Sequence, residues 1–108
     1  MYSYNITFVT APDAGERFIE WLRASALPVL MNPEYGACNP RLQTVVEAGG
    51  EKPGPDHGLS MALCLEFSSE EKAHVWHDAL LPGVLGDFNR KFGPHAAFFV
   101  TLLNTLLL

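Results

Sequence analysis

Glu70, Glu71, His74, His77 and Asp78 crowd proton-transferring and metal-binding side chains into one short run. Residues three and four apart become neighbours on a helix, so this is the first place to look for chemistry. A helical zinc motif sets two His four apart with a Glu between them. Here they are three apart, with no third ligand indicated on another element to complete and orient the set. The run reads as a solvated helix face, and no metal is expected.

His77 differs from its neighbours because its helical angle carries it toward Ala73, Trp76 and Leu80. A neutral imidazole there could act as a base or hydrogen-bond a ligand. A partly buried, hydrogen-bonded structural His accounts for the same placement. Tyr4, Trp21, Met61, Trp76 and Phe98 join His77 as a candidate pocket beneath the helices, with the phenol and the indoles as polar handles. The same side chains would fill an ordinary core. With no phosphate loop, nucleophile elbow or triad in the sequence, catalytic residues stay unassigned and no cofactor is expected.

The chain of 108 residues fits one domain, residues 1–108, that buries a modest core. Its formal net charge is −5 and its seven Lys and Arg form no cluster, which argues against nucleic-acid binding. No secretion signal follows Met1, so a cytoplasmic location is expected. Cys38 and Cys64 make neither a disulfide framework nor a zinc pattern, and both are read as reduced.

Strand one is read over Tyr4–Val9, where polar and apolar positions alternate. Asp13 and Glu16 have capping-box spacing for a helix from about Ala14, which Pro28 should stop or kink. Residues 32–40 read as a loop, Arg41–Glu47 as strand two and Leu59–Phe67 as strand three. The Gly- and Pro-rich run 49–58 between them is expected to be a mobile hairpin loop. Ser68 and Glu71 repeat the capping spacing for a second helix, which Pro82-Gly83 should interrupt before Val84, Leu85, Phe88 and Phe92 resume it.

The last stretch, His95 to Leu108, is apolar on both strand faces and too short and too interrupted for a membrane helix. Both of its sides call for cover. The order βαββαβ with right-handed crossovers gives an α+β, ferredoxin-like fold: a four-stranded antiparallel sheet with two helices on one face. The other face would carry Asn5, Thr7, Val9, Gln43, Val45, Ala62, Cys64, Phe99, Thr101 and Leu103. Its large apolar members point to a homodimer formed through that face.

Tyr4-Asn5 with Thr7, Trp21-Leu22-Arg23 before Pro28, Pro40-Arg41-Leu42, Phe92-Gly93, and Phe98 with Thr101-Leu102-Leu103 span nearly the whole chain. In order and spacing they resemble a short bacterial family described as domain of unknown function 4286. That resemblance implies a dimeric α/β-barrel-like protein of ferredoxin-like fold and carries over no activity. The wider superfamily holds cofactor-free monooxygenases, haem-degrading enzymes and small binding proteins, so the fold does not choose among them. The long hairpin loop departs from the usual family form. The Asn, Trp and His of haem-degrading enzymes are matched in type by Asn5, Trp76 and His95, but the spacing after Trp76 does not fit. The combined reading is a homodimeric scaffold or small-ligand-binding module. Its alternative is a cofactor-free monooxygenase or haem-handling enzyme using the pocket under the helices.

Overall fold

Alternation in the first strand decides which way the whole sheet faces. The computed structural model describes residues 1–45, 58–94 and 96–108. In β1 (Tyr2–Thr10) the side chains of Tyr4, Ile6, Phe8 and Thr10 are buried while those between them are not. β1 pairs antiparallel with β3 (Leu59–Phe67) on one side and β4 (Ala97–Asn104) on the other. β2 (Cys38–Thr44) lies outside β3, giving the order β2-β3-β1-β4 of the ferredoxin-like arrangement expected from the sequence.

β2 begins earlier than expected, within the stretch read as a loop. A register shift between Cys38 and Arg41 absorbs Pro40, which has no amide hydrogen to give a ladder and is tolerated on an edge strand. The far end of the expected strand, Val46-Glu47, and the expected mobile loop lie outside the described residues, apart from Gly58.

The first helical rod also differs from expectation. Asp13 caps nothing; Pro12–Ala14 form a 3-10 turn in which the Ala14 amide donates to the Ala11 carbonyl, 3.0 Å away. Helix α1 (Gly15–Trp21) then passes through a π-helical segment, Leu22–Ala26, into α2 (Leu27–Leu30). Pro28 neither stops nor ends it. The wider π turn lets the Leu27 amide reach the Leu22 carbonyl, and Pro28 falls in the first turn of α2, where an amide hydrogen is dispensable.

α3 (Glu70–Phe92) is continuous, so the expected break at Pro82-Gly83 is absent. Its cap is Ser69 rather than Ser68: the Ser69 hydroxyl accepts the Lys72 amide at 3.2 Å. Strand β3 runs to Phe67, which leaves Ser68 outside the helix as a bend. An interior proline costs a helix about 3 kcal/mol. Against that stand Leu81, Val84, Phe88 and Phe92, all buried on the helix face beyond or beside the proline, each contributing about 1.5–3 kcal/mol. Packing wins. Leu81 is buried and Leu80, expected inside, is only partly covered.

β4 is an edge strand whose apolar run is not covered on both sides within the protomer. Phe98 and Leu102 pack against the core, but Val100 on the same face is 41 % exposed. On the opposite face Phe99 is 62 % and Leu103 47 % exposed, and Leu106 to Leu108 lie exposed past the strand end.

Because α3 is held by its buried face rather than by backbone propensity, Pro82→Ala should stabilise the protein by about 1–3 kcal/mol. Urea unfolding followed by circular dichroism checks this, and no gain would mean that the helix is relaxed around the proline.

Candidate functional site

Six side chains were expected to share one pocket, and the fold gathers them in two groups. Tyr4, Trp76 and His77 meet at one end: the Tyr4 ring lies 4.9 Å from that of Trp76 and 6.0 Å from that of His77. Met61 and Phe98 flank Phe8 across the sheet, and Trp21 meets the Phe8 ring at 6.2 Å. Four residues along a strand separate Tyr4 from Phe8, roughly 13 Å at 3.3 Å per residue.

The expected polar handles are engaged by the protein itself. Trp76 is fully buried, and its Nε1 donates to the Leu30 carbonyl at 2.8 Å. Trp21 Nε1 donates to Asp87 Oδ2 at 2.7 Å, tying the first helical rod to α3. His77 stands at the margin, partly exposed, with Nδ1 2.9 Å from Asp78 Oδ1. His74 takes a different partner, Glu70, at 3.4 Å. The acidic and His run therefore makes two separate surface pairs rather than one convergent set.

Among the described residues, two groups have displaced acidities. Burial, and secondarily the negative charge of Asp78, push the Tyr4 phenol above its ordinary value, so it stays protonated and a donor at neutral pH. The Trp21 indole holds Asp87 below the usual carboxylate range, with Arg90 and Lys91 adding to the effect and partial desolvation opposing it. Neither Asp87 nor the cations near it stood out in the sequence. Trp21 and Asp87 are distant in the chain, and nothing in local periodicity joins them.

Register puts Asn5 opposite Cys64 and Thr101, and Thr7 opposite Ala62 and Phe99, on the sheet face away from the helices. Gln43 lies beside Ala62, and Val45, just past β2, is exposed. Cys64 is on this face yet buried, with its thiol 3.4 Å from Gln43 Oε1. Cys38 and Cys64 are both free. His95 lies outside the described residues, so the Asn5, Trp76 and His95 set has no geometry to describe.

A family model described as Domain of unknown function (DUF4286) matches residues 1–106, and the chain belongs to that family. No curated protein matches it. Among solved structures it is similar to a dimeric ferredoxin-like protein from an uncultured marine organism, at 15% identity and a TM-score of 0.69 over 98% of this chain and 95% of that one. It is also similar to a Nitrosomonas europaea protein named as a candidate antibiotic biosynthesis monooxygenase, at 15% identity and a TM-score of 0.60, covering 99% and 100%. A mutant of MhuD with two manganese protoporphyrin IX bound per active site matches at 18% identity and 0.56, covering 97% and 95%. At these identities the likeness establishes the ferredoxin-like fold. No helix among the described residues is long and apolar enough to cross a membrane.

The lowered acidity constant of Asp87 gives a signed pH dependence. Its contribution to stability is complete above the unfolded carboxyl value of about 4 and is lost as pH falls through the lower folded value. Asp87→Asn should therefore flatten the acid limb of the stability profile and leave its shape above about pH 5 unchanged. Denaturation midpoints measured between about pH 2 and 7 check it, and an unaltered acid limb would refute the role of the Trp21 bond.

Proposed function

We propose that this family member acts as a single-domain, cytoplasmic homodimeric scaffold in which two copies pack their open sheet faces around a two-fold axis. The carrying observation is the exposure of Phe99 and Leu103 on a face that no helix among the described residues covers. A two-fold interface uses the same patch on both copies, so the patch must be compatible with itself. Asn5, Thr7 and Gln43 offer polar groups that both donate and accept, and the β4 side chains offer apolar area. The neighbour described as a dimeric ferredoxin-like protein shares this fold, and the two free cysteines fit a reducing compartment.

The enzyme alternative would need Tyr4, Trp76 and His77 turned toward a substrate. Their packing and hydrogen bonds support a structural role instead, as the buried indole of Trp76 already has its acceptor. A monooxygenase or haem-handling role rests on fold likeness, which many unrelated activities share.

Native mass spectrometry tests the reading. The parent protein should be a dimer, and Phe99→Glu with Leu103→Glu should weaken it at least tenfold, about 1.4 kcal/mol, with an unchanged circular dichroism spectrum. A monomeric parent, or a dimer that withstands both charges, would sink the sheet-face interface.

A further inference from the structure

Among the described residues the sheet ends on β2 at one side and β4 at the other, and the two edges are built differently. On β2 the amide-free Pro40, the left-handed Asn39 (φ 54°) and the register shift before Arg41 interrupt the ladder. Arg41 adds a charge there, 3.7 Å from Glu66. Such features keep an edge from recruiting a further strand. β4 has none of them: Ala97–Asn104 contains no charged residue, no Pro and no Gly, and it pairs with β1 from Ala97 to Asn104 without a shift.

The ladder also fixes which backbone groups of β4 are free. Met1 and Thr105 stand one step beyond the Tyr2–Asn104 pair, and the Thr105 amide donates to the Met1 carbonyl at 3.1 Å. Groups facing the partner recur at every second residue of an antiparallel strand. Leu103, Thr101 and Phe99 therefore turn their amides and carbonyls toward β1, while Phe98, Val100, Leu102 and Asn104 turn theirs away from the sheet. The Val100 side chain is also exposed, on the helix side, where packing of two open sheet faces cannot cover it.

We propose that β4 pairs with β4 of a second copy, antiparallel around a two-fold axis normal to the sheet, so that two four-stranded sheets become one continuous sheet. Such an axis reverses strand direction and keeps each face on its own side, so residues of equal parity stand opposite each other. With Thr101 on the axis, Val100 exchanges hydrogen bonds with the partner's Leu102, and Phe98 with the partner's Asn104, all from the outward set. Phe99 then meets the partner's Leu103 on the open face, an aromatic–aliphatic cross-strand pair. An uncharged strand opposes no like charges when it meets itself, which makes a second copy the fitting occupant. Pairing of two short strands is a small interface, so it is a weak second step that joins dimers into tetramers as concentration rises. The edge contact does not rest on the sheet-face dimer: without that dimer, the same step takes monomers to dimers.

The test is sedimentation velocity of the full chain between about 10 μM and 1 mM, with amide hydrogen exchange of ¹⁵N-labelled protein at both ends of that range. The mass should double across the range. Exchange at Phe98, Val100, Leu102 and Asn104 should slow about fivefold or more at the upper end, while the amides of Phe99, Thr101 and Leu103, already bonded to β1, change less than about twofold. Val100→Pro deletes an amide that β1 does not use, which an edge strand tolerates, and should abolish the doubling with an unchanged circular dichroism spectrum. Val100→Lys keeps the amide, puts a charge at the edge and should weaken the step about tenfold or more. No doubling by about 1 mM, doubling that survives both variants, or slowed exchange without the alternating pattern would each overturn the proposal. Asn5→Arg, on the open face of β1, should dissociate the sheet-face dimer and leave the doubling in place, which separates failure of the edge contact from failure of the face contact.

Discussion

Phe8 is where the sheet and both helical segments meet, and the rest of the structure depends on that junction. Its ring lies 5.1 Å from Phe18 on α1 and 4.8 Å from Phe88 on α3, both tilted or edge-on. Such pairs contribute about 0.5–1.5 kcal/mol each beyond their buried area. Phe18 and Phe88 also meet each other at 5.9 Å, closing a three-way contact. Two helical rods that share one ring cannot shift independently. This fixes which face of α3 is inward, and it explains why the helix runs through Pro82 instead of breaking.

The parts of the fold that were legible in the sequence are those set by side-chain period. Alternation in Tyr4–Val9 and Leu59–Phe67 identified the strands and their inward faces, because burial on one side of a sheet selects every second residue. Local backbone signals were less faithful. Asp13 and Ser68 had the right spacing for caps, but a 3-10 turn at Pro12–Ala14 and a bend at Ser68, with Ser69 taking the cap, moved the helix starts by about a residue. Pro28 and Pro82 had the right chemistry for breaks and were overruled, the first by a π segment and the second by the buried face on either side. A proline penalty is local and bounded, whereas the packing that opposes it accumulates along a helix and cannot be read from the residue itself.

The candidate site was legible in residue type and much less so in arrangement. Large aromatic side chains facing a sheet can enclose a ligand or one another, and sequence spacing does not distinguish these. Trp76 shows what decides it: the indole finds the Leu30 carbonyl across a long sequence separation, so its polarity is consumed inside the protein. Trp21 does the same with Asp87. With Phe8, Phe18, Phe67 and Phe88 fully buried around them, aromatic mass goes into cohesion between the layers. Partly exposed chemistry is left at the margin, at His77.

The aromatic layer also separates the two faces of the molecule. The open sheet face and the outer surface of the helix layer lie on opposite sides of that layer. Perturbations farther apart than about 7–10 Å with no shared partners usually add independently, and helix and sheet layers are spaced on that scale. Rings connect Phe92 to Phe8 through Phe18, Trp21 and Phe88, and all of them lie on the helix side of the sheet. A close-packed core of this kind resists small displacements rather than relaying them. Assembly through the sheet face and packing of the helix layer are then thermodynamically separate, with the core as a partition between them.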